Sequence, residues 1–130
     1  MTRREHDSGV ISVVMVILLV MALGGAGLVV DGGRAMVARR HASNTAEAAA
    51  RAAVATATPV TGFDRDTARS AAISYADRAG IPAGDVRVVV GADFVTVTIV
   101  ERRDTIFLIL GGQETVTVQA SGTARVTYTE

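Results

Sequence analysis

Histidines and closely spaced carboxylates are the first side chains to consider for catalysis or metal binding. His6 and His41 lie on opposite sides of a long apolar run, so one chain cannot bring them to the same metal ion or the same proton. We therefore interpret both as solvated or interfacial. Asp64 and Asp66 suit the cap of a helix better than a metal site, because no further oxygen ligands accompany them.

Other kinds of chemical site are excluded by composition and context. The chain has no cysteine, which rules out disulfides, thiolate zinc sites and a cysteine nucleophile. Its serines lack the strand–turn–helix setting of a hydrolase, and the glycines at 24–27 lie in an apolar run instead of following a strand as in a phosphate loop. We expect no catalytic, cofactor-binding or metal-binding residues, and no enzymatic activity.

The balance of charge argues against nucleic acid as a partner. Thirteen basic residues are matched by thirteen acidic ones, so the chain lacks the basic excess that phosphate binding requires.

The dominant feature is an uncharged, strongly apolar run of 23 residues, 8–30. At 1.5 Å per residue a helix of this length covers about 34 Å, enough to cross a hydrocarbon core of roughly 30 Å. A cleaved signal peptide is the main alternative, but its apolar region usually spans only about 7–15 residues. A buried core helix is the third possibility. We predict a retained transmembrane helix.

The charges around this run leave its orientation open. Arg3 and Arg4 precede it, whereas Arg34, Arg39 and Arg40 follow it, and this count favours a cytoplasmic C-terminal part. A short tail followed by one long domain is, however, also the layout of a signal anchor with an exported domain.

Small residues near the end of the run, and charges just beyond it, predict a helix-packing surface. Ala22 and Ala26 have the small-xxx-small spacing that lets a second helix approach closely. Asp31 and Arg34 could pair within the helix or across a subunit contact, or could only mark the membrane interface. The predicted surface comprises Ala22, Gly24, Gly25, Ala26, Gly27, Asp31 and Arg34.

A helical pattern continues beyond the membrane. Residues 34–57 contain no proline or glycine and are rich in alanine and arginine, so a single helix could run from 10 to 57. Met36 and a series of alanines fall near one face and predict close packing. Pro59 and Gly62 should end this helix, and a second one should run from Asp64 or Asp66 to about Ala79.

The remaining sequence has the alternation and the valine and threonine content of β-strands. Strands are predicted at 86–90, 94–100 and 114–128, with a hairpin turn at 91–93. Residues 105–110, TIFLIL, are too few to span a bilayer and could form a buried strand, a short core helix or an apolar lip. The predicted fold class is α+β: a long transmembrane helix that continues outside the membrane, a short second helix and a small antiparallel, pilin-like sheet.

Four stretches resemble a known family: Ser8-Gly9, GLVVDGGRAMVARR at 27–40, ASNTAEAAARAAV at 42–54 and TIFLILGGQETVTVQASGTARV at 105–126. They are similar to the TadE/TadG-like proteins of Flp (Tad) pilus assembly, in particular the short actinobacterial TadG-like type. The resemblance implies a pseudopilin-like protein with its helix in the inner membrane and a small extracytoplasmic α+β domain.

One position departs from the TadE-type prepilin pattern, in which a glycine precedes the cut and a glutamate stands fifth after it. With Gly9 as that glycine, the fifth position is Val14, and no acidic residue occurs between Gly9 and Val30. The chain therefore resembles the membrane-retained TadG-like branch.

Together these features predict a cytoplasmic tail at 1–8, a transmembrane helix at 9–30, a juxtamembrane helix at 31–58 and an extracytoplasmic domain at 59–130. The predicted function is a non-enzymatic component of Flp/Tad pilus assembly or related secretion machinery, without cofactors. Its expected partners are the inner membrane and other pilus-assembly proteins, with oligomerisation through the N-terminal helix. The alternative is a membrane-tethered binding module for an unrelated envelope protein, with edge strands or residues 105–110 as the contact.

Overall fold

One long helix contains the apolar run and continues into the core of the fold. The structure is a computed structural model, and it describes residues 4–58 and 62–127. Helix α1 spans Arg4–Val54, 51 residues or about 76 Å at 1.5 Å per residue. It is continuous through Asp31, Gly32 and Gly33, as predicted, but it ends at Val54 instead of Ala57. Parts of the predictions fall on residues 1–3, Pro59 and Tyr128, which lie outside the described residues.

The first half of α1 has the properties of a membrane span. It is the one helix in the described residues that is long and apolar enough to cross a membrane, and its most apolar stretch is almost entirely uncovered by the rest of the chain. Large side chains from Val10 to Leu23 are about half exposed or more.

The second helix, α2, spans Arg65–Arg78 and begins and ends as the sequence predicts. Asp64 is its N-cap and accepts a hydrogen bond from the backbone N–H of Thr67 at 2.9 Å. Gly80, just beyond its end, has a φ of +84°, which a glycine adopts without strain. A short 3₁₀ helix, Ala83–Asp85, leads into the sheet.

Three strands form an antiparallel sheet in the order β1-β2-β3. The strands are β1 (Val86–Val90), β2 (Phe94–Asp104) and β3 (Thr115–Arg125). In the register, Val88 pairs with Val97, which in turn pairs with Gly122. The predicted hairpin at 91–93 is present, closed by a hydrogen bond from the Gly91 N–H to the Phe94 carbonyl at 2.8 Å. The α+β fold class is therefore confirmed.

The core lies between the sheet and an alanine-rich face of α1. Val95, Val97 and Ile99 of β2 are fully buried against it, and α2 covers the β1 side with three buried alanines of its own. Met36, expected near the packed face, is 61% exposed. The buried alanines of α1 are Ala38, Ala42, Ala46, Ala49, Ala50 and Ala53.

Residues 105–113 form a loop between β2 and β3, called the apolar loop below. It contains a second 3₁₀ helix, Leu108–Gly111, which is followed by Gly112 with a φ of +85°. Of the three structures considered for TIFLIL, the apolar lip is the one observed, because Ile106, Phe107, Ile109 and Leu110 remain exposed.

Candidate functional site

The apolar loop contacts α1 at the end of its apolar run, through the carboxylate of Asp31. This side chain is buried, with 3% of its surface exposed. Its Oδ1 accepts a hydrogen bond from the backbone N–H of Ile106 at 3.0 Å. Its Oδ2 accepts two more, from Phe107 at 2.9 Å and Leu108 at 2.8 Å. One carboxylate therefore holds three consecutive amides in the way an N-cap holds a helix end.

Gly27, one turn earlier on α1, provides the second contact. It is buried, unlike its neighbours in the apolar run, because the side chain of Phe107 lies directly on it. A Cβ at this position would lie only 2.6 Å from the Cβ of Phe107. Glycine is thus required here by the close approach of the loop.

The loop itself is closed by hydrogen bonds at its base. The N–H of Thr105 donates to the Glu114 carbonyl at 2.9 Å, and the Thr105 hydroxyl bonds to the Gln113 carbonyl. The N–H of Gln113 donates to the Leu108 carbonyl at 3.0 Å. These bonds, with those to Asp31, connect the far end of the hairpin to the membrane exit of α1.

The remaining residues of the predicted packing surface are exposed. Gly24 and Gly25 have open space where a Cβ would stand, and Ala22 and Ala26 are uncovered. At about 100° per residue, Ala22 lies about 180° around the helix from Asp31, and therefore faces away from the apolar loop. The use of these residues in contacts with another helix stays a prediction.

Arg34 is exposed and lines a shallow surface groove together with Val30 and Arg103. Its predicted pairing with Asp31 also stays a prediction; the Asp31 oxygens are engaged by the loop amides.

A polar cluster lies further along α1, where His41 meets the end of β2. His41 Nδ1 is 3.1 Å from Oε2 of Glu101, a carboxylate that is only 7% exposed. Glu101 also forms an ion pair with Arg103. His41, interpreted from the sequence as solvated or interfacial, thus has a specific carboxylate partner. We infer that these side-chain interactions of Glu101 help to hold helix α1 against the end of strand β2.

Asp64 has the capping role that was predicted, whereas Asp66 lies within the first turn of α2. The side-chain and backbone hydrogen bonds from Thr67 to Asp64 hold the pKa of its carboxyl below the ordinary value of 3.8. In the described part of the chain, no group of three His, Asp or Glu side chains could hold a metal ion.

Two functional residues were not found from the sequence. Phe107 carried no signal beyond its place in an apolar stretch. Gly122, which is buried against the backbone of α1 at Ala46 and Glu47, could have been found, because a glycine inside a strand often indicates close approach of another backbone.

The comparisons with known proteins concern the same helix that carries this site. No curated protein and no solved structure matches the chain. A family model described as "Putative Flp pilus-assembly TadE/G-like" matches residues 9–56, which confirms the resemblance over the span and its continuation. With the apolar helix, this match supports single-pass anchoring in a membrane and involvement in Flp pilus assembly. Residues 9–56, including Gly27 and Asp31, are therefore the part of the chain that is similar to the TadE/G-like Flp pilus-assembly proteins.

Proposed function

We propose that the protein is a pseudopilin-like, non-enzymatic component of Flp pilus assembly, with its helix in the inner membrane and its α+β domain on the extracytoplasmic side. The observation that carries the proposal is the family match over residues 9–56, the segment that crosses the membrane and enters the domain core. In this proposal residues 1–8 are the cytoplasmic tail, 9–30 the span, 31–58 the juxtamembrane helix and 59–130 the domain.

The architecture supports an assembly role because the span and the domain core share one helix. A second helix that packs on the span would be coupled mechanically to the sheet through α1. The exposed small residues at 22 and 24–26 offer such a helix a smooth surface. The partners that fit are other membrane-spanning pilus-assembly proteins or a second copy of this chain.

Orientation is the first experiment, because the absence of cysteine allows single labelling sites. Ser121→Cys places a thiol on the exposed side of β3, and Thr2→Cys places one in the N-terminal tail. In intact cells a membrane-impermeant maleimide should label Ser121→Cys and spare Thr2→Cys, whereas both should react after lysis. The reverse pattern would contradict the exported domain.

The assembly role is tested by a tagged chain in the cell that encodes it. Pilus-assembly proteins should co-purify with the native chain from mild detergent. A matched control keeps residues 31–130 and replaces 9–30 with an unrelated transmembrane helix of equal length. We expect the control to lose these proteins; retention of an unrelated envelope protein by both chains would favour the binding-module alternative.

A further inference from the structure

The apolar loop lies beside the last membrane-embedded turn of α1. Phe107 covers Gly27, which precedes the end of the apolar run at Val30 by three residues, or about 4.5 Å of helix. Contact at this level brings the loop to the depth of the bilayer interface when α1 spans the membrane. We propose that residues 106–110 insert into the lipid interface next to α1, as a second and monotopic membrane contact of the domain.

The side chains of the loop have the composition that such a contact requires. Ile106 is 49% exposed, Ile109 51% and Leu110 87%. No charged residue occurs between Asp104 and Glu114. A cluster of exposed aliphatic side chains of this kind is unfavourable in water and stable in the acyl-chain boundary of a bilayer.

Backbone amides of the loop also donate hydrogen bonds to acceptors within the protein. Such internal pairing favours a medium without water, because an unpaired amide is costly there. Asp31 accepts from the amides of residues 106–108. Farther along, the backbone N–H of Leu110 donates to the Phe107 carbonyl at 3.0 Å, and the N–H of Gly112 donates to the Ile109 carbonyl at 3.0 Å. These bonds give the amides of residues 106–108, 110 and 112 acceptors within the protein, so none of them depends on water.

The polar groups at the edge of the loop fit a lipid surface better than an apolar protein groove. Arg34 and Arg103 are both exposed and line the groove beside Val29 and Val30, the last residues of the apolar run. The guanidinium group of Arg34 can reach lipid phosphates while its alkyl part lies along the apolar surface, whereas that of Arg103 forms the ion pair with Glu101. The negative charge of Asp31 is stabilised at this depth by the loop amides, which donate to both of its oxygens.

The test uses the absence of tryptophan from the chain, which allows single-tryptophan variants of the full-length protein. Leu110→Trp and Ile109→Trp report on the loop. Leu18→Trp reports on the span, and Val89→Trp is a matched control at another exposed aliphatic residue. Val89 pairs with Thr96, which is eight residues, or about 27 Å of strand, from the Asp104 end of β2.

Each variant is reconstituted into vesicles of phosphatidylcholine and phosphatidylglycerol that carry bromine on the upper acyl chain in both leaflets. Quenching then does not depend on the direction of insertion. We expect the two loop variants to be quenched to an extent comparable with Leu18→Trp, and Val89→Trp to emit as it does in unbrominated vesicles. Adding Asp31→Ala to Leu110→Trp should lower the quenching, because the loop loses its attachment to α1.

The outcomes separate this proposal from the assignments on which it rests. Unquenched loop variants beside a quenched Leu18→Trp would overturn lipid insertion and leave the membrane span intact. An unquenched Leu18→Trp would overturn the span itself. Loop variants that stay unquenched in lipid but are shielded from aqueous iodide when pilus-assembly proteins are added would also overturn lipid insertion, in favour of a protein partner. None of these outcomes depends on the orientation of the domain.

Discussion

At the scale of residues, the Asp31 carboxylate takes the place of water as hydrogen-bond acceptor for three amides of the apolar loop. A carboxylate at the end of a membrane span would ordinarily be hydrated, but here three backbone amides of a distant loop surround it. Hydrogen bonds to a charged acceptor are stronger than those between neutral groups, so one side chain is sufficient to hold the loop. The contact also directs the loop onto Gly27 through Phe107.

Replacement of Asp31 should release the loop. Asp31→Asn keeps the shape but removes the charge and turns one acceptor into a donor, so at least one of the amides of residues 106–108 loses its partner. We expect hydrogen exchange of these amides to accelerate on the order of tenfold in detergent micelles. Asp93→Asn, at an exposed carboxylate near Arg125, is the control and should leave them unchanged. Equal exchange in both variants would refute the capping role.

Gly27 should not tolerate even a methyl group. In Gly27→Ala the new Cβ would lie 2.6 Å from the Cβ of Phe107, so the aromatic side chain must move away. Gly25→Ala is the matched control, because its Cβ would meet nothing within 4 Å. We expect chymotrypsin to cleave after Phe107 faster in Gly27→Ala than in the native chain, and at the native rate in Gly25→Ala. A native rate in both would show that the loop does not rest on Gly27.

At the scale of elements, the close approach of sheet and helix determines the fold. The alanine face of α1 presents side chains of one carbon, which lets the strands lie near its backbone. Gly122 is the extreme case, because a Cβ there would overlap the backbone of Glu47. Close packing of this kind leaves no space for an added atom.

Gly122→Ala should therefore weaken the docking of β3 on α1. Since the clash is with backbone atoms that cannot rotate away, we expect the free energy of unfolding to fall by roughly 1–3 kcal/mol. Thermal unfolding followed by circular dichroism in detergent measures it. Gly84→Ala, where a Cβ would have open space, is the control and should unfold near the native temperature. A native-like Gly122→Ala would disprove the close approach.

Helix α2 should respond to acid through its cap. Because the pKa of Asp64 in the folded chain is below its ordinary value of 3.8, its charge stabilises the fold above that value, and the contribution is lost as the pH falls through the folded pKa. Asp64→Asn retains a capping oxygen without the titration. We expect its melting temperature to fall less steeply than that of the native chain below about pH 4. Identical slopes would contradict the role of the charge.

At the scale of the whole molecule, α1 makes the span and the domain a single mechanical unit. Loop attachment occupies the Asp31 side of the helix, which leaves the opposite side at Ala22 free within the membrane. Ala26 lies about 140° from Asp31 and extends the same free surface. A partner helix can therefore pack on the span without displacing the apolar loop.

Larger side chains on this surface should prevent a second helix from packing there and leave the fold intact. Ala22→Leu combined with Ala26→Leu removes the small-xxx-small spacing. Val16→Leu with Val20→Leu, at exposed positions with the same spacing, is the matched control. We expect the alanine pair to lower the yield of co-purified pilus-assembly proteins or of a differently tagged second copy, and the valine pair to keep it. Equal yields would place the contact elsewhere.

Features that depend on neighbouring residues could be predicted from the sequence alone. The apolar run of 23 residues, the continuation of the helix, the Asp64 cap and the valine–threonine strands all follow from local periodicity and composition. The α+β fold class follows from the same patterns, and the similarity of residues 9–56 to TadE/G-like proteins follows from the stretches that resemble that family.

Tertiary structure alone decided which residues meet across the chain. Asp31 lies 75 residues from Ile106, and nothing in the local sequence of either indicates the other. From the sequence alone, an aspartate after an apolar run could simply mark the membrane boundary. The segment TIFLIL could form a strand, a helix or an exposed lip, because periodicity in a short apolar segment does not distinguish these structures. The hairpin length and the α1–sheet packing bring the loop to Gly27. The candidate site is therefore a product of three-dimensional proximity, which local patterns do not encode.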